Sequence, residues 1–457
     1  MKRKKTPFKQ FLASMLYLGI LCFGAVMFAQ VEANAAEQTV SVDNGDSQTV
    51  TVHPGDTGTI VPNYAPDPET GSEAQLVYEY SKGWFFDSEC IAVDAYGNFE
   101  ARALGRERIE ITGWDSEGTE VFSAVVFFEN QVDMEPVKLQ KTTLSGYLFP
   151  TYIYGDHISY DQTEFDIKVN SPTVLSEDLP GIDLSCKTAA KDVWAYASLS
   201  DNLLHLTIYA QKKCTAKLTV TIAEKKFELT ITLKPVKISA SSVLMERGKT
   251  KQLRLVGYSG AVTWSSSDPA AAQVSKSGVV KGKKIGNAVI TATAGGHKIG
   301  CAVSVTSAKL KKVCQRAAYI GTNWKYDQNK RTLSGYYDCS SLVWKAYKEY
   351  AGINFGSSSY PGTTVTESAW CRDHKCLIKG GYTQKRVDKM LLQPGDLVFK
   401  SQDDTKPFET TYHVEMFTGY TCIGYDNKGK PTVIPLWAAR DAGYGAMDGS
   451  LLARPIR

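Results

Sequence analysis

A chain of 457 residues is too long for one ordinary hydrophobic core, and its length predicts three or four domains. Hydrophobic residues make up 43% and charged residues 22%, a globular composition that excludes a largely disordered chain. The net charge of +4 is compatible with an anionic partner but equally with an ordinary near-neutral surface. No nucleotide, nucleic-acid or metal motif stands out, so no cofactor, metal or nucleic-acid partner is expected.

Lys2-Arg3-Lys4-Lys5 precede an apolar stretch from Phe11 to Ala29, and Ala33-Asn34-Ala35 offers a small-residue cleavage site. The expectation is a signal peptide over 1–35, a secreted mature protein, and no membrane contact once the signal is removed. No other stretch approaches the length of a transmembrane helix. Ten cysteines less Cys22 leave nine, an odd number in an oxidising compartment. One thiol would then stay unpaired, with Cys339 the natural candidate. Cys371/Cys376 and Cys186/Cys214 are the first pairs to consider for bridges.

From 36 to 134, short alternating runs such as Arg108-Ile109-Glu110-Ile111 are punctuated by Gly, Asp and Pro, which predicts a β-sandwich. The texture continues over 135–235 and ends in two runs flanking Ala223-Glu224-Lys225-Lys226, read as a hairpin. The module over 236–306 carries Val262-Thr263-Trp264-Ser265, Ser277-Gly278-Val279-Val280 and Gly286-Asn287-Ala288-Val289-Ile290. These segments resemble the bacterial immunoglobulin-like group-2 domain. Val93, Gly97, Gly105 and Ile109 repeat the spacing of Val274, Gly278, Gly286 and Ile290, so the first module reads as a divergent copy. Trp264 reads as core filling. The modules are expected to space or present the C-terminal domain, with cell-wall or surface partners as a further role.

Lys309 to Tyr319 predicts a short helix, with almost no linker before it, so the last sandwich and the C-terminal domain (307–457) should pack as a rigid pair. In that domain Tyr337-Asp338-Cys339-Ser340-Ser341 precedes apolar residues at Leu342, Val343, Ala346, Tyr347 and Tyr350, the spacing of one buried helical face. Asp338 can cap that helix, which puts the Cys339 sulfur in its first turn, where the dipole and unpaired N–H groups favour a thiolate. A nucleophilic cysteine needs a base. Of six histidines only His374 and His413 lie in this domain. His413 falls in an alternating strand, Tyr412-His413-Val414-Glu415-Met416-Phe417, downstream of the turn and strand Pro394-Gly395-Asp396-Leu397-Val398-Phe399. His374 lies between Cys371 and Cys376 in a segment read as a disulfide-closed surface loop.

Tyr337-Asp338-Cys339-Ser340-Ser341-Leu342-Val343, Pro394 to Phe399 and His413 to Gly419 resemble the three signature blocks of the NlpC-type cell-wall cysteine peptidases, in the family's order. The resemblance covers the last third of the chain. It implies a papain-like α+β domain behind all-β immunoglobulin-like sandwiches, with Cys339 as nucleophile and His413 as base. It further implies hydrolysis of peptidoglycan stem peptides between the γ-carboxyl of D-glutamate and a diamino acid, by a wall-associated enzyme. By the same resemblance Asp338 and Ser340 hold the substrate's amino end, and Tyr326, Tyr337 and Thr364 line the cleft. Relatives carry a third, orienting residue on the strand after the base, but Thr432 to Asp441 has none at the expected place; Asp441 and Glu415 are the candidates. Two other readings stay open, an amidase or acyltransferase acting on another amide, and a surface-adhesion protein whose peptidase domain has decayed.

Overall fold

The computed structural model describes residues 37–64, 77–82, 90–178, 182–439 and 448–456. The proposed signal peptide and Asp441 lie outside the described residues. No helix among the described residues is long and apolar enough to cross a membrane.

The first two modules each place two four-stranded sheets face to face. In the first, alternation along Gly105–Trp114 and Glu120–Asn130 turns Ile109, Ile111, Val126 and Phe128 into the core and the charged residues between them outward. In the second, Cys214–Ile222 and Lys225–Pro235 pair antiparallel through the turn Ala223-Glu224, as their sequence predicts, and bury Leu218, Val220, Leu229 and Ile231.

The third module stacks the sheet containing Gly286–Ala294 and His297–Thr306 over a smaller one, with Val280, Ile290, Cys301 and Val303 between them. Trp264 packs against that core. The suspected repeat has a geometric counterpart. Gly97 and Gly278 sit at φ of 80° and 81°, and Gly105 and Gly286 at 143° and 153°. The Gly97 and Gly278 N–H groups close matching turns onto the carbonyls of Asp94 and Ser275, at 3.1 and 3.0 Å. A Cβ on Gly278 would also meet the Leu253 carbonyl at 2.6 Å, so both backbone sign and space call for glycine.

Ser307 alone separates the last strand of that module from the helix Ala308–Asn323, whose N-terminus it caps. The helix outruns its expected end at Tyr319 because Ile320 joins the buried stripe of Leu310, Val313, Cys314 and Ala317. The two domains share a core. Val289 and Ala302 of the sandwich pack with Leu392, Val398, Phe417 and Tyr420 of the C-terminal domain. Asn287 Nδ2 donates to the carbonyls of Met390 and Leu392 at 2.8 and 2.7 Å.

One element goes beyond the sequence reading. The strand Thr411–Tyr425 runs through the C-terminal sheet and on to pair with Pro150–Tyr154, a strand of the middle module, at Tyr152 and Gly424. Three modules therefore meet on the strand that carries His413.

Candidate active site

Cys339 is the first residue of the helix Cys339–Ala351. Asp338 Oδ1 accepts the Ser341 N–H at 2.8 Å and the Ser341 hydroxyl accepts the Asp338 N–H at 2.8 Å, a reciprocal capping box. Gly352, at φ 71°, ends the helix. Leu342, Val343, Ala346 and Tyr347 are buried as their spacing predicts. Tyr350 is not: it is 39% exposed, so the apolar stripe stops one turn early.

The strand Leu397–Ser401 pairs antiparallel with Thr411–Tyr425, setting Lys400 opposite His413 and Val398 opposite Glu415. Directly opposed residues, and residues two apart on one strand, share a face of the sheet. Lys400, His413 and Glu415 therefore point the same way. Cys339, His413 and Glu415 line one narrow cleft walled by Leu342, Met416, Trp437 and Ala438.

Within the cleft His413 stands beside Cys339 and Glu415. Its Nε2 lies 3.5 Å from Glu415 Oε1, and Lys400 Nζ lies 3.2 Å from the same oxygen. Burial disfavours a charged ring, but side-chain hydrogen bonding and electrostatic attraction from Cys339 and Glu415 outweigh it, and His413 is raised to about 9. The imidazole accordingly carries a proton at neutral pH. Such an arrangement can attack a carbonyl with sulfur and deliver a proton to the departing group.

His413, not His374, lines the cleft with Cys339. The Nδ1 of His374 bonds the Trp370 carbonyl at 2.9 Å and its ring stacks on Trp370 at 3.8 Å. The expected bridges are corrected as well: Cys371, Cys186 and Cys214 are thiols. Cys186 stands opposite Val220, six positions along the strand from Cys214, well beyond disulfide reach. Burial raises the thiols of Cys186 and Cys422 to about 11 and those of Cys301 and Cys314 to about 12, which makes them poor nucleophiles.

The residues expected to line the substrate cleft divide. Tyr337 is buried, with its hydroxyl 3.4 Å from the Gly321 carbonyl, and packs edge-on against Tyr326, which stays 41% exposed. Thr364 opens the helix Thr364–Asp373 and ties it to the His413 strand, its hydroxyl donating to the Thr411 carbonyl at 2.8 Å. Asp338 and Ser340, expected to hold the substrate's amino end, are both engaged by Arg331.

Three residues at the site escaped the sequence reading: Arg331, Lys400 and Glu367. Lys400 could have been found from the hairpin register, had the loop between its strands been known. Glu367 is fully buried, neither carboxyl oxygen has a hydrogen-bond partner, and burial, then the nearness of Cys339 and Asp338, pushes it far above the usual carboxylate range. Arg331 lies in an aperiodic loop that carries no local signal.

A helix-borne cysteine and a strand-borne histidine in one cleft, behind immunoglobulin-like modules, fit a cysteine-peptidase domain carried on β-sandwiches. Residues 321–428 match the NlpC/P60 family and residues 232–303 match the bacterial Ig-like domain (group 2). The C-terminal region is thus an NlpC/P60 domain, a family that acts on peptidoglycan, preceded by a group 2 Ig-like domain. Among solved structures the chain is similar to invasin, a bacterial integrin-binding protein, at 14% identity and a TM-score of 0.28, covering 51% of this chain and 52% of invasin, about half its length. It is also similar to the titin I9–I11 tandem, at 13% identity and a TM-score of 0.24 over 59% of this chain and 98% of that one. Domains 4 and 5 of the S-layer protein SbsC give 10% identity and a TM-score of 0.18 over 36% and 74%. No curated protein matches the chain.

Proposed function

We propose that the protein is an exported, wall-associated cysteine peptidase that hydrolyses peptidoglycan stem peptides between the γ-carboxyl of D-glutamate and a diamino acid. Cys339 attacks the amide carbonyl, and the Cys339 backbone N–H with neighbouring donors steadies the oxyanion. His413 gives its proton to the leaving amine and a thioester remains on Cys339. His413 then takes a proton from water, which attacks the thioester and returns the sulfur. Glu415, held by Lys400, orients the imidazole. The β modules hold the domain at the wall or against a surface partner.

The observation that carries this reading is the placement of His413 between Cys339 and Glu415 in one cleft. An intact pair with an acidic partner also favours a working enzyme over a decayed domain. Digestion of purified muropeptides by the mature protein tests the proposal. A new free amine on the diamino acid, absent with Cys339→Ala, is the expected product. Cleavage at a different amide would move the enzyme to the amidase class, and no cleavage at all would return it to a surface-binding role.

A further inference from the structure

The positive charge of the chain is gathered on one part of it. Residues 308–351, the helices Ala308–Asn323 and Cys339–Ala351 with the loop between them, hold nine lysines and arginines against three acids. The whole chain carries only +4, so the rest of it is slightly acidic. Within this stretch Arg316, Lys330 and Arg331 face the carboxylates of Glu349, Asp327 and Asp338 at 2.8, 3.8 and 3.2 Å. Lys345 and Lys348 donate to the carbonyls of Tyr336 and Ser358, each at 2.7 Å. Among the described residues no carboxylate pairs with Lys309, Lys311 or Lys312. Lys309 and Lys312 are exposed.

These lysines sit where they weaken the helix. Lys309, Lys311 and Lys312 crowd the start of Ala308–Asn323, the positive end of its dipole, where acids would be favoured. Lys309, Lys312 and Arg316 follow at three- and four-residue spacing on one face, each repelling the next. Helix stability does not account for that row, whereas an anionic partner does. The row borders a shallow groove of about 250 Å³, lined by Lys312, Gln315, Arg316 and Tyr319 and, from the Cys339 helix, by Tyr350. Both tyrosines are open to solvent, 52% and 39% exposed. The Arg316 guanidinium lies over the rings of Tyr319 and Trp324, 5.5 and 5.2 Å from their centres. Tyr350 stands near the far end of the helix that Cys339 opens, about 16 Å along its axis. The groove therefore faces a part of the substrate remote from the bond being cut.

A γ-linked D-glutamate keeps its α-carboxyl free and ionised at neutral pH, so a strand bearing many stem peptides is a polyanion. We propose that the basic face of Lys309, Lys312 and Arg316, with the groove bordered by Tyr319 and Tyr350, is a second binding site for the peptidoglycan strand. It holds the carboxylates of stem peptides neighbouring the one in the catalytic cleft. The inference rests on the peptidase reading of the Cys339 cleft and makes the polymer, rather than a single stem peptide, the preferred substrate.

The test measures binding of the Cys339→Ala chain to purified peptidoglycan, with and without its attached phosphate-containing polymers. On peptidoglycan freed of those polymers, K309Q/K312Q should weaken binding about tenfold at low salt, and the gap should close at high salt. K276Q/K283Q, which removes two exposed lysines from the sandwich instead, should change binding by less than about twofold. Converting the peptidoglycan carboxyls to amides should weaken binding about tenfold, with little further loss from K309Q/K312Q. In the active chain, K309Q/K312Q should lower the ratio of kcat/KM on strands to that on a single muropeptide by about tenfold. Both lysines are exposed at the positive end of a helix, so their removal should not lower the melting temperature. Binding that survives K309Q/K312Q or amidation overturns the proposal. So does a loss confined to peptidoglycan that keeps its phosphate polymers, which would make those the occupant. Should neither strands nor muropeptide be cut, the peptidase reading fails, and the binding measurements on Cys339→Ala still decide the second site.

Discussion

Glu415 Oε1 lies 3.5 Å from His413 Nε2, two residues back on the same strand, and the same oxygen is 3.2 Å from the buried Lys400 Nζ. Among the described residues, the strand Pro431–Trp437 and the chain just after it bring Trp437, Ala438 and Ala439 to this cleft. In the proposed mechanism the base is oriented from within its own strand, through a carboxylate beside a lysine.

Glu415→Gln should lower kcat by roughly 100-fold and leave KM within about threefold, because it weakens an interaction that matters most when His413 moves its proton. Lys400→Met should cost roughly tenfold, since it loosens Glu415 without removing it. Steady-state kinetics on the purified variants check both. Asp441→Asn serves as the control and should stay near wild type; a large loss there, with Glu415→Gln unaffected, would assign the orienting role to Asp441.

The raised His413 makes a pH prediction. Its folded-state value of about 9 lies above the ordinary 6.5, so the ring stays protonated through neutrality. kcat/KM should fall as pH rises through about 9, and in Glu415→Gln this alkaline limb should move down toward the ordinary value. The linked stability has the same sign. It is fully present below the ordinary value and is lost as pH rises through about 9. A pH–rate profile and thermal melts across that range measure the two independently.

Arg454 holds the buried Asp396 through two bonds, Nε to Oδ1 and Nη2 to Oδ2, each 2.7 Å, just after the Pro394-Gly395 turn that starts the catalytic hairpin. Arg454→Ala leaves that carboxylate buried without its cation and should cost about 3–5 kcal/mol of unfolding free energy. Denaturant unfolding reads the loss.

The sandwich over 236–306 buries Phe417 and Tyr420 of the C-terminal domain under Val289 and Ala302. Expressed alone, 307–457 should expose that apolar patch, melt lower than a 236–457 fragment and self-associate. Within the full chain, Asn287→Ala removes two hydrogen bonds across this junction and should cost about 1–3 kcal/mol.

Much of this was legible in the residues. Asp338 before an apolar i, i+3, i+4 run fixed the helix start at Cys339, and Pro394-Gly395 before an alternating run fixed the hairpin, because capping and turn chemistry are local. The glycines at 97, 105, 278 and 286 marked a repeat because only backbone sign and close approach demanded them. What stayed hidden depends on contacts distant in sequence. Arg331 meets Pro361 and Gly362 thirty residues on, and no period or turn announces it. Pairing of Pro150–Tyr154 with the His413 strand joins segments far apart in the chain. The expected Cys186/Cys214 bridge failed because membership in one module says nothing of strand register.

The most direct measurement is acid-quenched mass spectrometry of the protein during turnover of a muropeptide. A Cys339–His413 acyl-transfer centre predicts that the proteolytic fragment containing Cys339 carries the acyl half of the substrate as a thioester, and that His413→Ala abolishes the adduct. Hydrolysis proceeding with an unmodified Cys339, or with the acyl group on another cysteine, would contradict it.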